Sequence, residues 1–161
     1  MITSCLWGSD MYLVVFACAL LVLTTTLLHY EVLRGLNTWL PVLRMPQRLK
    51  LVVVVLSAFV AHACDMAMYG AALYVLGTWL ADGSLTWSAR FSLSTCIYFS
   101  AETFTSLGFG DLTPVGPVRL LAGVEALNGL LLIGWSASFT YISMERFWGP
   151  EASSADGPHK R

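Results

Sequence analysis

The sequence predicts an all-α integral membrane protein with three transmembrane helices and one re-entrant segment between the second and third. Three observations carry this expectation. The 161 residues are 57% hydrophobic and 12% charged, with a mean hydropathy of +0.68, too apolar and too sparsely charged for a water-soluble domain. Three apolar runs reach the length of about 20 residues that a helix needs to cross a hydrocarbon layer roughly 30 Å thick. Between the last two lies a stretch too polar to span and too apolar for an aqueous loop. The net charge of −1 provides no basic stripe to neutralise phosphates, which excludes nucleic acid as a partner.

The first run is "MYLVVFACALLVLTTTLLHY", residues 11–30. No Lys or Arg precedes it and no small-residue cleavage site is convincing, so residues 1–30 read as an external amino terminus and a retained span. Thr24, Thr25 and Thr26 are expected to bond to their own helix backbone or to a neighbouring span. Residues 31–50 follow, where Val32, Leu33, Leu36, Trp39, Leu40 and Leu43 fall at helical spacing beside Arg34 and Arg44. That pattern predicts a cytoplasmic interfacial amphipathic helix with Trp39 at headgroup level.

The second span covers residues 51–79 and the third 118–145; residues 146–161 are short, polar and rich in turn formers, and read as a disordered cytoplasmic tail. Neither of the first two spans carries Lys or Arg in its apolar core, so no arginine voltage sensor is expected. Cys5, Cys18, Cys64 and Cys96 form no C-x-x-C pair and are expected to act as small buried apolar side chains.

Basic residues set the orientation. Arg34, Arg44, Arg48 and Lys50 lie between the first two spans, and Arg146, Lys160 and Arg161 follow the third, against Arg90 and Arg119 on the opposite side. The amino terminus is then outside and the carboxyl terminus inside. The segment at 91–113 must enter and leave from the external face, and non-helical backbone at membrane depth is tolerated only where protein buries it or water lines it.

Within that segment "TSLGFGD", residues 105–111, alternates Gly108 and Gly110 with Leu107 and Phe109. Glycine accepts positive φ, so such a chain can run extended with its carbonyls aimed at one axis. In this context "YFSAETFTSLGFGDLTP" resembles the pore helix and selectivity filter of the potassium channel superfamily. The family filter reads Thr-Val-Gly-Tyr-Gly-Asp, and Ser106, Leu107, Gly108, Phe109, Gly110 and Asp111 occupy those places. The resemblance is detailed over residues 91–117, loose from 51 to 145, and leaves the first span outside it. It implies a pore module at 51–145 with an outer helix at 51–79, a pore helix and filter at 91–113 and an inner helix at 118–145, four copies forming a homotetrameric channel. K⁺ would bind at Ser106, Leu107, Gly108 and Phe109, with Gly110 completing the filter and no cofactor beyond the permeant ions. Glu102 aligns with a pore-helix glutamate that in some members shares a proton with the filter aspartate, here Asp111, and Tyr98 stands where a Trp often braces that aspartate. Phe109 lacks the family tyrosine's hydroxyl, which opens the alternative of a weakly selective cation channel. The resemblance also likens the helix expected at 31–50 to a slide helix, and places the protein in the plasma membrane, or the inner membrane of a bacterial cell.

Ionisable groups within spans are functional candidates. His62 and Asp65 sit three apart in the second span, Glu125 and Asn128 three apart in the third, and the simplest arrangement packs these two faces together. A proton sensor at His62 and a metal site drawing on His62, Asp65, Cys64 or Met68 are further readings. Gly129 and Gly134 in the third span serve as gating hinges or as points of close helix packing. Asp82 and Asp111 near the outer mouth would concentrate cations. From a different class, the chain could be a non-conducting or metal-binding membrane subunit using His29 and His62. Their expected depths, near the cytoplasmic end and near the midplane, do not favour a shared ligand. An enzyme is not expected, since no nucleophile–base pair, phosphate loop or cofactor fingerprint is found.

Overall fold

The computed structural model describes residues 3–79, 85–86 and 91–154, with side chains over 10–79 and 91–147. Asp82, Arg90, Lys160, Arg161 and the side chain of Cys5, all invoked above, lie outside the described residues. Four helices make the architecture: α1 (Thr3–Trp39), α2 (Gln47–Trp79), the short α3 (Leu93–Phe104) and α4 (Val118–Ser154). Two-residue strands β1 (Leu85–Thr86) and β2 (Thr113–Pro114) pair antiparallel on either side of α3. The apolar parts of the long helices, Asp10–Trp39, Gln47–Trp79 and Val118–Phe147, run 30, 33 and 30 residues. At 1.5 Å per residue each is about 45–50 Å long, enough to cross the hydrocarbon and leave both ends among headgroups.

Two boundaries differ from the expectation. Residues 31–39 continue α1 without a break, so the separate interfacial helix is absent; Glu31 and Arg34 stay exposed on its surface, 3.4 Å apart. The chain breaks only at 40–46. Pro41 has no N–H to give and disfavours helical backbone at the residue before it, which ends α1, while the Pro46 carbonyl accepts from Leu49 and Lys50 to start α2. At the other end, residues 146–154 extend α4 and are not a disordered tail. Phe147 is buried with Leu40 and Val54, under the Lys50 ammonium 5.4 Å from its ring, and this contact gives the last turns a reason to stay helical.

The core lies where all four helices meet. Val14, Cys18 and Leu21 of α1 pack with Tyr69, Leu73 and Leu76 of α2, Cys96, Phe99 and Phe104 of α3, and Val118, Leu121 and Leu132 of α4. Cross-helix pairs fix the register: Thr25 meets Asn128, His29 meets Ser136 and Asn37 meets Arg146, so α1 and α4 run parallel, side by side. Helix α3 is wedged against α2 and α4, and the chain beyond its carboxyl end begins close to the midpoint of both.

Candidate pore loop and buried polar clusters

Helix α3 is capped at both ends by its own sequence. Ser92, extended at φ −149°, accepts from the Thr95 N–H at 3.3 Å. At the far end the Leu107 N–H donates to the Glu102 carbonyl at 2.9 Å and the Ser106 N–H to the Thr103 carbonyl at 3.0 Å, the paired bonds of a Schellman motif. That motif requires a left-handed residue, and Ser106 fills the position at φ +58°, a conformation uncommon outside glycine. Positive φ then recurs at Gly108 (+53°) and Gly110 (+79°), alternating with the negative φ of Leu107 and Phe109. The loop is open: Leu107 is 61% and Phe109 67% exposed in the isolated chain.

Behind the loop, Tyr98 donates to Asp111 Oδ2 at 3.4 Å. The neighbouring Glu102 carboxylate first, then its own desolvation and Asp111, push the Tyr98 hydroxyl up to about 12, so it stays a donor at any physiological pH. Glu102 and Asp111 make no hydrogen bond with each other among the described residues, which corrects the expected shared proton. Glu102 is buried on the packed face of α3, with Oε1 lacking any partner, whereas Asp111 sits on the exposed loop.

The membrane-embedded polar residues also pair differently from the expectation. Glu125 accepts a very short bond from Ser100 of α3, whose hydroxyl also lies 2.7 Å from the Met66 carbonyl of α2. Asn128 donates to Thr25 of α1 at 2.9 Å and to Tyr69 of α2 at 3.1 Å, while Thr24 and Thr25 bond back to their own helix. Neither Glu125 nor Asn128 bonds to His62 or Asp65. Those two meet His29: its Nδ1 is 3.5 Å from Asp65 Oδ2, the His62 Nδ1 is 4.0 Å from the same oxygen, and the two imidazole centroids are 4.8 Å apart. The expectation that depth keeps the two histidines apart is thereby overturned. Because α1 continues past residue 30, His29 lies well inside the span and level with His62. Among the cysteines, Cys18 and Cys96 are buried and free, and Cys64 is exposed.

Gly129 serves close packing. A Cβ there would stand 2.1 Å from the Phe104 carbonyl oxygen at the end of α3, whereas one at Gly134 would meet nothing within 4 Å.

Two antiparallel-connected spans, a half-length helix wedged between them and a glycine loop released at its tip define a pore module of the single-loop ion-channel type, to which α1 is added. The chain belongs to the ion channel family, which it matches over residues 49–146. It is also similar to the inward rectifier potassium channel Kirbac3.1 of Paramagnetospirillum magnetotacticum, 36% identical over 77 residues that make up 47% of this chain and 26% of that protein. The match thus spans about a quarter of that relative's length, and both findings support the resemblance to the potassium channel superfamily. No solved structure matches the chain.

Proposed function

We propose that the chain is one protomer of a homotetrameric K⁺ channel, passing K⁺ passively across the membrane through a filter made by residues 106–110 of four copies. The observation that carries this reading is the alternation of positive φ at Ser106, Gly108 and Gly110, at the tip of a buried helix. Alternating handedness turns successive peptides so that their carbonyls can share one side of the strand, the arrangement that replaces a cation's hydration shell. The carbonyls of Ser106, Leu107, Gly108 and Phe109, with the Ser106 hydroxyl, would hold the ions.

Two further features support it. The carboxyl end of α3, worth about half a negative charge, opens directly onto the loop and favours cations there. Leu107 and Phe109 are left exposed by one chain, and neighbouring copies around a fourfold axis would cover them and close the ring. The positive-inside bias supports an amino terminus outside and a carboxyl terminus in the cytoplasm. Asp111, held by Tyr98, would keep the outer end of the filter in place.

The test is K⁺ against Na⁺ flux into liposomes carrying the purified protein, with Gly108→Ala and Gly110→Ala as controls. A Cβ at either glycine would meet nothing within 4 Å in the protomer, so these variants act through φ and not through a clash. Ba²⁺-sensitive K⁺ flux, abolished by both, is expected. Equal Na⁺ and K⁺ flux would favour a weakly selective pore loosened at Phe109, and flux that survives both substitutions would overturn the filter assignment.

A further inference from the structure

We propose that His29, His62 and Asp65 form a binding site for a divalent transition metal of the Zn²⁺ class, which ties α1 to the pore module. The site lies outside the pore loop and does not depend on ion conduction. The three side chains come from two helices that the sequence separates by the 40–46 turn, and one donor atom from each lies within 4.8 Å of the others. Four-coordinate Zn²⁺ with bonds of about 2.0–2.1 Å holds its donors roughly 3.3 Å apart. The His29–Asp65 gap of 3.5 Å already matches, and the 4.0 Å His62–Asp65 gap closes with a small rotation of the less enclosed His62 ring.

The site carries unmet valence that a cation would satisfy. His29 and Asp65 are fully buried, yet His29 Nδ1, His62 Nδ1 and both Asp65 oxygens have no hydrogen-bond partner. No Lys or Arg among the described residues pairs with Asp65, and a bare carboxylate inside a span costs several kcal/mol. A proton on one imidazole would answer one nitrogen and one oxygen and leave the other ring unanswered. A single divalent ion engages all three side chains at once, and two imidazoles with a carboxylate suit Zn²⁺ or Co²⁺ over Ca²⁺ or Mg²⁺.

The outer contacts fit as well. His29 Nε2 is 2.6 Å from Ser136 Oγ of α4. Donation from Nε2–H to that hydroxyl leaves Nδ1 as the lone-pair nitrogen facing Asp65, the second-shell arrangement that orients metal-binding histidines. The His62 ring stands edge-on to Phe104, 5.8 Å between centroids, and the His29 ring lies 5.9 Å from Trp135. The site therefore touches α1, α2, the end of α3 and α4, and an ion in it would bear on the packing immediately before Ser106.

The test uses the full chain, purified in detergent after chelator treatment and titrated with Co²⁺, whose visible bands report tetrahedral nitrogen and oxygen ligation. We expect about one Co²⁺ per chain, displaced by Zn²⁺, with affinity reduced at least 100-fold by His62→Gln or Asp65→Asn and 10–100-fold by Ser136→Ala. Cys64→Ser should leave binding unchanged. X-ray absorption of the unmutated Zn²⁺-loaded protein should show imidazole scattering, an outcome that does not depend on any variant folding. Uptake no greater in the natural protein than in Asp65→Asn would overturn the proposal, as would sulfur ligation. It would equally be overturned by a protein that ignores both metals while its thermal stability rises on acidification in an Asp65-dependent way, which would identify the bridging cation as a proton.

Discussion

The substitution Gly129→Ala tests the packing of the pore helix most directly. The new methyl would stand 2.1 Å from the Phe104 carbonyl oxygen, 2.9 Å from its carbonyl carbon and 3.0 Å from its ring. Reaching even 3.0 Å from the oxygen needs a shift of about 0.9 Å, and the obstacle is backbone that carries the last residue of α3, so no side-chain rotation relieves it. Overpacking of this kind costs typically 1–3 kcal/mol. We expect the upper end, about 3 kcal/mol, because α3 is held from behind by α2. For a chain of this size that corresponds to a fall in melting temperature of roughly 6–12 °C, read by tryptophan fluorescence in detergent. Ion flux should fall with it, since the loop leaves α3 one residue after Phe104. Gly134→Ala is the companion variant: its methyl meets nothing in the protomer, and Ala is favoured over Gly in a helix by up to about 1 kcal/mol. It should melt at or above the parent temperature. A Gly129→Ala protein within about 2 °C of the parent would refute the close-packing reasoning, and a Gly134→Ala protein that is stable but silent would instead locate a hinge at 134.

Two other outcomes follow from the polar contacts. Removing Asn128 as Asn128→Ala releases both the Thr25 and Tyr69 hydroxyls, at about 1 kcal/mol per bond. The combination with Tyr69→Phe should therefore cost less than the sum of the two single changes in thermal unfolding, and strict additivity would show that the bond contributes nothing. Tyr98→Phe removes the donor to Asp111, and reversal potentials should show a lower K⁺ to Na⁺ preference than in the parent, whose preference should stay flat with pH because the hydroxyl is pushed up to about 12. An unchanged preference in Tyr98→Phe would mean that Asp111 is held by other means.

The spans, the short helix and the loop were legible because each has a local signature. Apolar length marks a span, and the glycine alternation marks the loop. The extents of α1 and α4 were not. Glu31 and Arg34 sit at the expected end of the first span, but they are exposed at its surface and interrupt nothing, while Pro41 carries the real stop. Likewise Phe147 anchors the last turns of α4 through a contact with residues a hundred positions away, which no local window reports. The pairing of polar residues was least legible. The matching spacing of Glu125–Asn128 and His62–Asp65 suggests that these pairs meet, but spacing says only that two residues share a face, not which helix covers that face. One signal was available: Val14, Cys18, Leu21, Thr25 and His29 recur at steps of three or four, so the two polar members lie on the same stripe as the packed apolar ones. In a helix apolar on every side, polarity and not hydrophobicity marks the buried face.

That inversion accounts for what α1 adds to the pore module. Residues 49–146 match the family without it, yet α2 and α4 present Asp65, Tyr69, Asn128 and Ser136 towards the groove that α1 fills. Facing lipid, each would leave polar atoms without partners, and lipid-exposed polar groups in a span cost several kcal/mol apiece. Helix α1 answers Asn128 with Thr25 and Ser136 with His29, in register, and brings His29 Nδ1 to 3.5 Å from Asp65, and the apolar residues between match the apolar residues opposite. Association of helices in a bilayer gains nothing from excluding water, so packing and such hydrogen bonds must supply both the energy and the register. A shift of α1 by one turn would slide Thr25 and His29 past all of their partners at once. The polar cluster thus holds the added helix in a single alignment, and anything that changes the charge balance among His29, His62 and Asp65 acts on that alignment and, through Phe104, on the end of α3 from which the loop departs.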